Sequence, residues 1–433
     1  MPGCTDANKG DQALIWETIE SIKAAGGIDE VVLIGSAEMS DQCEQQTRAL
    51  GYEVVSNILR HPRRGRNRPE DKVKEGLVSL VLMMINSLID LTRSQLFLLL
   101  APFPAFARLL LGAEQRKAYS AYLDARAVFV KGGGFIHAYG GLNAPYQIWY
   151  LLFPIRLAQR LKKPVLVLPN SFGPFIGLGV RRQVRNVLSK CAFVCARESV
   201  SAKALGALLG REVPVFPDLG YFLSPSTRET GLRICEEFGV PIGEKRCVGF
   251  TVRPYRFPGC ADPVLMYDKY IDALAALLRH VESLGYHSVL ITQVSGPSAH
   301  ENDALAISDL MKRASSVACT WIDYKGICRD LKAVFGCMDY VVGTRFHSVV
   351  FAQGMGVPSM AIAYGGNKAT GIMADMDLSD YVIPIDQVTG EGLCAMFDSL
   401  VAHDEKVRSR LRGWLVDAAT RRDEMVQSLR SAI

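Results

Sequence analysis

Residues 341–351, VVGTRFHSVVF, have the pattern of a strand, a turn and the start of a helix. The β-branched run ends at Gly343, and an apolar helical pattern follows Arg345 and His347. This order places a guanidinium group and an imidazole beside the free N–H groups of a helix N-terminus, where anions bind. The stretch therefore predicts an α/β fold in which an acid–base histidine handles an anionic ligand. In the alternative interpretation, Arg345 caps a carboxylate and His347 packs under the helix.

The same order of a short apolar run and a helical stretch repeats along the chain. Runs without period-two alternation are typical of parallel strands that are buried on both faces. The runs lie at 31–35, 127–134, 164–170, 192–198, 213–218, 247–253, 288–293, 340–345 and 359–364. They predict two Rossmann-like domains, 1–230 and 240–433, with the boundary in the polar segment 224–246. Because ligands of such sheets bind beyond the carboxyl ends of the strands, we expect the site in the cleft between the domains.

The composition excludes several classes of protein. The chain has 433 residues, too many for one ordinary core, and its 49% hydrophobic and 21% charged residues are typical of a globular protein. The net charge of +5 suits an acidic small molecule or a membrane surface. No basic run is interleaved with aromatic residues, as nucleic-acid binders require. The 11 cysteines form no CxxC pair and no export signal is present, so we expect a cytoplasmic protein without a zinc site or disulfides.

One segment breaks the alternation of strands and helices. Residues 60–74 are strongly basic, and the runs 76–91 and 96–111 that follow are strongly apolar. Each apolar run is shorter than the roughly 20 residues needed to span a bilayer, and charges and prolines interrupt the pair. We therefore predict an insertion at about 60–115 that forms either two buried helices or a peripheral contact with an anionic membrane surface at the inner face of the cell membrane.

Four predicted turns carry groups that could bind an anion or transfer a proton. Consecutive glycines let backbone N–H groups approach an anion or a sugar, although they also make tight turns. Arginine is suited to carboxylate and phosphate because its planar fork binds them bidentately. The candidates are Asn8, Asp11, Lys131, Gly132, Gly133, Gly134, Arg197, Arg345 and His347, with Lys368 as either a further phosphate contact or an ordinary surface lysine. Asp11 is either a base or the N-cap of the first helix, and no metal-binding motif is present.

Five motifs, spread over most of the chain, resemble those of the polysaccharide pyruvyl transferases, and most closely the colanic-acid type. They are NKGDQAL (8–14), KGGGF (131–135), CARESVS (195–201), VGTRFHSVVFA (342–352) and YGGNKATGIM (364–373). The insertion is not covered by the resemblance. The family normally begins with a strand before the GD motif, whereas only MPGCTDA precedes it here. We therefore expect either a late start site or a missing first strand.

The resemblance implies a GT-B-like fold, phosphoenolpyruvate as donor, and a sugar or lipid-linked oligosaccharide as acceptor. The product would be a cyclic pyruvate ketal on a sugar diol, formed without a cofactor, with the acceptor on the first domain and the donor on the second. Arg197 and Arg345 would hold the donor, and His347 would be the general acid. Two alternatives remain, a sugar-nucleotide glycosyltransferase of the same fold and a non-catalytic glycan- or anion-binding protein. The acceptor sugar and the oligomeric state stay open.

Overall fold

The computed structural model describes residues 5–26, 30–35, 44–59, 77–296 and 301–433. The helices are α1 (Lys9–Ala25), α2 (Gln45–Ala49), α3 (Leu77–Leu100), α4 (Pro104–Ala107), α5 (Ala113–Asp124), α6 (Ala144–Arg160), α7 (Val180–Leu188), α8 (Ser199–Leu209), α9 (Arg228–Glu237), α10 (Pro263–Ser283), α11 (Asp303–Arg313), α12 (Cys328–Phe335), α13 (Phe346–Gly354), α14 (Lys368–Asp375), α15 (Gly390–Ala402) and α16 (Asp404–Ala432). The strands are β1 (Val32–Ile34), β2 (Glu53–Val55), β3 (Val128–Val130), β4 (Gly133–Tyr139), β5 (Val165–Ile176), β6 (Phe193–Ala196), β7 (Cys247–Thr251), β8 (His287–Ile291), β9 (Cys319–Ile322), β10 (Tyr340–Gly343), β11 (Ser359–Ala363) and β12 (Val382–Pro384).

The second half of the chain forms a six-stranded parallel sheet in the order β9-β8-β7-β10-β11-β12. Its strands are mostly apolar because helices cover both faces. In β10, Val342 belongs to one core cluster and its neighbour Val341 to the cluster on the opposite face. The strand order reverses between β7 and β10, which is where parallel sheets bind ligands beyond the carboxyl ends of their strands. The predicted α/β class and the parallel strands of this half are confirmed.

The sheet of the first half is built around β5. This strand pairs in parallel with β3 and then β4 along one edge, and with β6 along the other. Gly133 and Gly134, predicted to lie in a turn, instead begin β4. The run 213–218 was predicted as a strand but makes only an isolated bridge between Val215 and Ala196.

An interruption separates the two strands that precede the insertion from the rest of this sheet. In the described residues, β1 pairs with β2 alone, and no ladder joins β1 to β3. A cavity of about 1010 Å³ lies between them, lined by both strands and by α1 and α5. The first domain therefore contains a divided parallel sheet.

The insertion differs from its predicted form. The basic run 60–74 lies outside the described residues. The two predicted helices, 76–91 and 96–111, are wrong in their bounds, because α3 continues unbroken through Arg93 to Leu100. The helix ends before Pro102, and Pro104 opens α4, as expected for a residue that cannot continue a helix but fits its first turn. Among the described residues, no helix combines the length and apolarity needed to cross a membrane.

The first and last helices hold the two halves together. The backbone next to α1 joins the end of β8, since Lys9 N–H donates to the Gln293 carbonyl at 3.1 Å and Ser295 N–H to the Ala7 carbonyl at 2.9 Å. The last helix, α16, crosses back and packs its buried residue Leu429 against Ala25 of α1 and Leu166 of β5. The division into 1–230 and 240–433 stays a prediction, and the chain crosses between the two halves at both ends.

The crossing of α16 makes a prediction about stability. Leu429→Ala removes a fully buried side chain between two helices and a sheet, so the free energy of unfolding should fall by about 2–5 kcal/mol. Val416 on the same helix is 69% exposed, and Val416→Ala should change the free energy of unfolding by no more than about 0.5 kcal/mol. Urea denaturation of both variants checks this. Equal stability of the two variants would contradict the docking of α16.

Candidate functional site

The N-terminus of α1 brings a carboxylate to the carboxyl end of β3. Asn8 is the N-cap, and its side-chain oxygen accepts from the N–H groups of Gly10 at 3.0 Å and Asp11 at 3.3 Å. The capping role considered for Asp11 therefore belongs to Asn8. Lys131, just after β3, donates to the Asp11 carboxylate at 2.7 Å. Although burial acts in the opposite direction, Lys131 lowers the pKa of Asp11, so this carboxylate is ionised at neutral pH.

Arg197, just after β6, lies in a buried ion pair. Its Nη1 donates to the Asp218 carboxylate at 2.6 Å and its Nε to the Ser171 hydroxyl at 2.8 Å. Although burial acts to raise it, the charge of Arg197 brings the pKa of Asp218 down to about 2. In the described part of the chain, Arg197 Nη2 has no hydrogen-bond partner. This nitrogen lies over Gly134, where a Cβ atom would come within 2.7 Å of it. The glycine thus leaves the room that the guanidinium fills.

His347 lies in the first turn of α13, buried where the two halves meet. Its ring packs on the backbone of Gly10, since a Cβ atom there would overlap the imidazole. Nε2 lies 4.0 Å from the Asp218 carboxylate and has no hydrogen-bond partner among the residues that the structure describes. Burial, and next the positive charge of Lys368, lower the pKa of His347 to about 3. The imidazole is therefore neutral at pH 7, with a nitrogen that a ligand could engage.

Two further groups with shifted pKa values follow β11. Burial, and next the charge of Arg197, lower the pKa of Lys368 to about 8. Tyr364 stacks against Arg253, whose guanidinium carbon lies 4.0 Å from the ring centre. Although burial acts to raise it, the charges of Arg253 and Arg345 lower the pKa of Tyr364 to about 8. Positive charge contributes to both shifts, and a buried place with an excess of positive charge favours an anionic ligand.

Glu198 joins the two halves behind this cationic region. Its carboxylate accepts from the hydroxyls of Ser171, at 2.9 Å, and Ser201. The side chain packs on α14, where a Cβ atom at Gly371 would collide with it. Burial raises the pKa of Glu198 to about 7. Glu198 therefore supports the Arg197 loop and is within reach of protonation near neutral pH.

Arg345 has a different environment from Arg197. Its Nε and Nη2 bind the buried carboxylate of Asp303, at 2.8 and 2.7 Å, and Nη2 also donates to the Glu301 carbonyl at 3.1 Å. Although burial acts to lower it, the Asp303 charge raises the pKa of Arg345. The carboxylate contact of the alternative interpretation is thus present. The guanidinium fixes the N-terminus of α13 to α11, and a direct contact with a ligand stays a prediction.

The structure brings most of the candidate residues into one contact network. Asp11, Lys131, Arg197, His347 and Lys368 converge, Asn8 caps α1, and Gly132 and Gly134 allow close packing beneath the network. Gly133 makes the left-handed turn that starts β4, with φ of 153°. The sequence predictions missed Asp218, the residue that contacts both Arg197 and His347. Its position at the end of the run 213–218 was a usable signal.

Three groups near the Lys368 loop were also missed. Arg253 and Tyr255 follow β7, and Tyr139 at the end of β4 approaches the loop after β11, where a Cβ atom on Gly366 would lie 3.0 Å from its hydroxyl. An aromatic residue at or just after the end of a predicted strand was the signal in the sequence that could have identified Tyr139 and Tyr255. In the described ranges, no group of three or more His, Cys, Asp or Glu residues is arranged to hold a metal ion.

The chain is similar to solved structures in its fold, at low sequence identity. UDP-GlcNAc 2-epimerase from Neisseria meningitidis matches with a TM-score of 0.52 and 11% identity over 97% of both chains. The MnaA–UDP structure from S. aureus matches with a TM-score of 0.53 and 8% identity over 93% of this chain and 88% of that one. The predicted GT-B-like arrangement is therefore confirmed.

Similarity in sequence defines the family. The chain is 20% identical over 304 residues to the amylovoran biosynthesis protein AmsJ of Erwinia amylovora, which covers 69% of each chain. The family model for polysaccharide pyruvyl transferase matches residues 8–366, a range that contains every residue of the contact network except Lys368. This chain belongs to the polysaccharide pyruvyl transferase family.

Proposed function

We propose that this protein transfers the enolpyruvyl unit of phosphoenolpyruvate to a sugar diol during exopolysaccharide synthesis, forming a cyclic pyruvate ketal. One observation carries the proposal: the unpaired, neutral Nε2 of His347 lies among cationic groups supplied by both halves of the chain. Membership of the pyruvyl transferase family supports a role in polysaccharide synthesis. The likeness to a protein named for amylovoran biosynthesis supports the same general role.

The donor would lie between Lys131, Arg197 and Lys368. Phosphoenolpyruvate carries a phosphate and a carboxylate, and Lys368, whose pKa is lowered by burial, recovers its charge when such an anion binds. The N-terminus of α13, which has no side-chain cap, adds backbone N–H groups at the same place. Arg345 would act at one remove, by holding the start of α13 through its pair with Asp303. Arg197 has only Nη2 left for a ligand, so Lys368 would carry more of the donor's charge.

The low pKa of His347 affects its proposed role as an acid. With a pKa of about 3, the free protein holds almost no imidazolium at pH 7. A donor dianion or trianion beside the ring would favour the charged form and raise the pKa. Proton transfer from imidazole would therefore become possible only when the donor is bound. This arrangement would also limit protonation of phosphoenolpyruvate to the assembled complex.

The reaction would proceed as an addition followed by a displacement. His347 gives its proton to C3 of the donor, C2 becomes electron-deficient, and one sugar hydroxyl forms a bond to C2. The C2–O bond to phosphate then breaks, and the second hydroxyl closes the ketal ring. Of the two hydroxyl protons, one replaces the proton that His347 lost and the other leaves with phosphate.

The acceptor would approach from the side of Tyr139 and Tyr255. Both side chains lie near the Lys368 loop, and flat aromatic faces with a hydroxyl suit the mixed apolar and polar surface of a sugar. Asp11 stays our candidate for the base that receives a hydroxyl proton. Its pKa is held below the usual range, so it would act after Lys131 turns to the donor phosphate.

The proposed activity has a direct test. The protein is incubated with phosphoenolpyruvate and a panel of β-galactosides, and the products are analysed for phosphate release and for a mass gain corresponding to one pyruvate ketal. Consumption of uridine-diphosphate sugars without phosphoenolpyruvate would instead indicate a glycosyltransferase. Binding of a glycan or anion with no turnover of either donor would indicate a non-catalytic protein.

The acid is tested by His347→Asn. The loss of a general acid should lower kcat by about 10²–10⁴-fold. The Kd for phosphoenolpyruvate should stay within about threefold, because the imidazole acts chiefly in the transition state. The control is His403→Asn, since His403 is exposed at the start of α16. A kcat within about threefold of the wild-type value would exclude His347 as the acid.

The packing of the His347 ring on the backbone of Gly10 is tested by Gly10→Ala. The added methyl group would overlap the His347 ring and displace it, so kcat should fall by at least about tenfold. Gly413→Ala is a matched control, because nothing lies within 4 Å of a Cβ atom at that helical position. Thermal unfolding and kcat are measured for both variants. A folded Gly10→Ala variant with wild-type kcat would contradict the proposed geometry.

The charge of the donor site is tested through proton uptake at pH 8. Lys368 has a pKa of about 8, so about half of the free protein lacks this charge at pH 8. Bound phosphoenolpyruvate should raise the pKa and cause uptake of up to about half a proton at pH 8. Uptake should be greatest between the free and the bound pKa values, and should fall below the first and above the second. Titration calorimetry in buffers of different ionisation enthalpy measures the uptake. Lys368→Met should reduce it and exposed Lys406→Met should not, so equal uptake in all three proteins would refute the assignment.

A further inference from the structure

Over residues 81–90, the helix α3 has its apolar and polar sides reversed relative to a helix that packs on a water-soluble core. Six apolar side chains of this part point outward: Val81, Leu82, Met84, Ile85, Leu88 and Ile89. Leu88 is 67% exposed, whereas Asp90 is only 8% exposed. Surface helices ordinarily bury the apolar stripe and expose the polar one.

The inner side of α3 is held by polar contacts and, nearer its end, by the buried ring of Phe97, which packs on Tyr119 and Phe153. Ser94 accepts a hydrogen bond from Trp149 of α6 at 3.0 Å and is almost fully buried. Asn86, Ser87 and Asp90 also take part in interactions, so each of these polar side chains has a partner. The orientation of the helix is therefore fixed by specific partners, and its apolar side is left facing outward.

The apolar surface continues beyond the helix. Leu96 and Leu99 extend it along α3, and Phe103, Phe106 and Leu109 extend it over the turn and α4, with Leu109 76% exposed. A soluble protein rarely leaves so many large apolar side chains together in water. We call the outward side chains from Val81 to Leu109 the apolar face.

The position of the apolar face relates it to the cleft. Ser94 lies at Trp149, and the Leu98 carbonyl accepts from Arg160, so α3 and α6 run in the same direction. The first thirteen residues or so of α3 therefore extend past the start of α6, by about 20 Å at 1.5 Å per residue. Since α6 begins just after β4, this projection lies at the carboxyl ends of the strands. The same end of the sheet carries Lys131 and Arg197.

We infer that the apolar face rests on the surface of an anionic lipid bilayer, with α3 lying against the headgroup region and the cleft held beside the membrane. The inner side of α3 packs on α6, so only the outer side enters the lipid. Exposed cations lie along the face or beside it, namely Arg93 on α3, Arg108 after α4, and Arg116 on α5, whose Nε donates to the Arg108 carbonyl at 3.0 Å. An apolar face with flanking cations has the chemistry of a surface-bound membrane helix.

A second copy of the chain fits this face less well. A twofold interface would bring together the same patch of each copy, so two sets of flanking arginines would be crowded into one interface. An anionic leaflet instead supplies the opposite charge over a wide area. The proposal does not depend on the chemistry assigned to His347, and either could fail without the other.

The test is sedimentation of the full-length chain with vesicles of phosphatidylcholine alone and of phosphatidylcholine with phosphatidylglycerol. The wild-type protein should bind the anionic vesicles at least tenfold more tightly than the neutral ones, and high salt should weaken this binding. The double variant Leu88→Gln/Phe106→Gln should lose at least tenfold in affinity for the anionic vesicles. Both side chains are exposed, so the variant should keep the wild-type Tm. Val416→Gln, an exposed apolar position on α16, is the matched control and should bind like the wild type.

A second variant separates the charge from the apolar contact. Arg93→Gln/Arg108→Gln should weaken binding to anionic vesicles and leave the weak binding to neutral vesicles unchanged. Absence of wild-type binding to both vesicle types would overturn the proposal. So would a dimer that Leu88→Gln/Phe106→Gln dissociates, observed by light scattering in the absence of vesicle binding, since the face would then be a contact between copies of the chain.

Discussion

The carboxylate of Asp218 is the interaction on which the arrangement of the site depends. It accepts from Arg197 at 2.6 Å, lies 4.0 Å from His347, and accepts the Gly220 N–H group that starts the following turn. One buried anion thus balances a guanidinium from the first half and lies beside an imidazole from the second. Because an unpaired buried charge is strongly unfavourable, these groups constrain one another's positions. His347 is neutral even so, because burial and the charge of Lys368 lower its pKa more than the Asp218 carboxylate raises it.

The helix α1 converts this electrostatic balance into a defined geometry. Its N-cap, Asn8, sets where the helix begins, and that start places Gly10 against the imidazole. The absence of a side chain at Gly10 has a specific reason: any Cβ atom would occupy the volume of the ring. A side chain held by packing on backbone has few alternative positions. This is the kind of preorganisation that acid–base chemistry in a cleft requires.

Sequence reasoning predicted the parts of the molecule that depend on local pattern. The stretch 341–351 has strand, turn and helix in consecutive residues, so the position of His347 at a helix start followed directly. Local pattern could not distinguish the environment of Arg197 from that of Arg345, because each residue follows a strand. Their difference comes from Asp303, which is 42 residues before Arg345 and meets it only in three dimensions. The orientation of α3 was also beyond local pattern, since its polar residues have partners on another helix, such as Trp149.

The return of α16 to α1 sets the order in which the protein can be completed during synthesis. Arg422 donates to Glu17, and Arg430 to the Ala25 carbonyl, across 405 residues of chain in each case. Contacts this distant in sequence form late, because the entropy of closing so long a loop must be offset first. The first half leaves the ribosome long before its partner helix exists, so Ala25 and Leu166 stay uncovered until residues 422–430 have been made. A nascent chain therefore exposes this apolar site from the synthesis of Leu166 until α16 has been made, and a chaperone that covers the site would have to be displaced by α16.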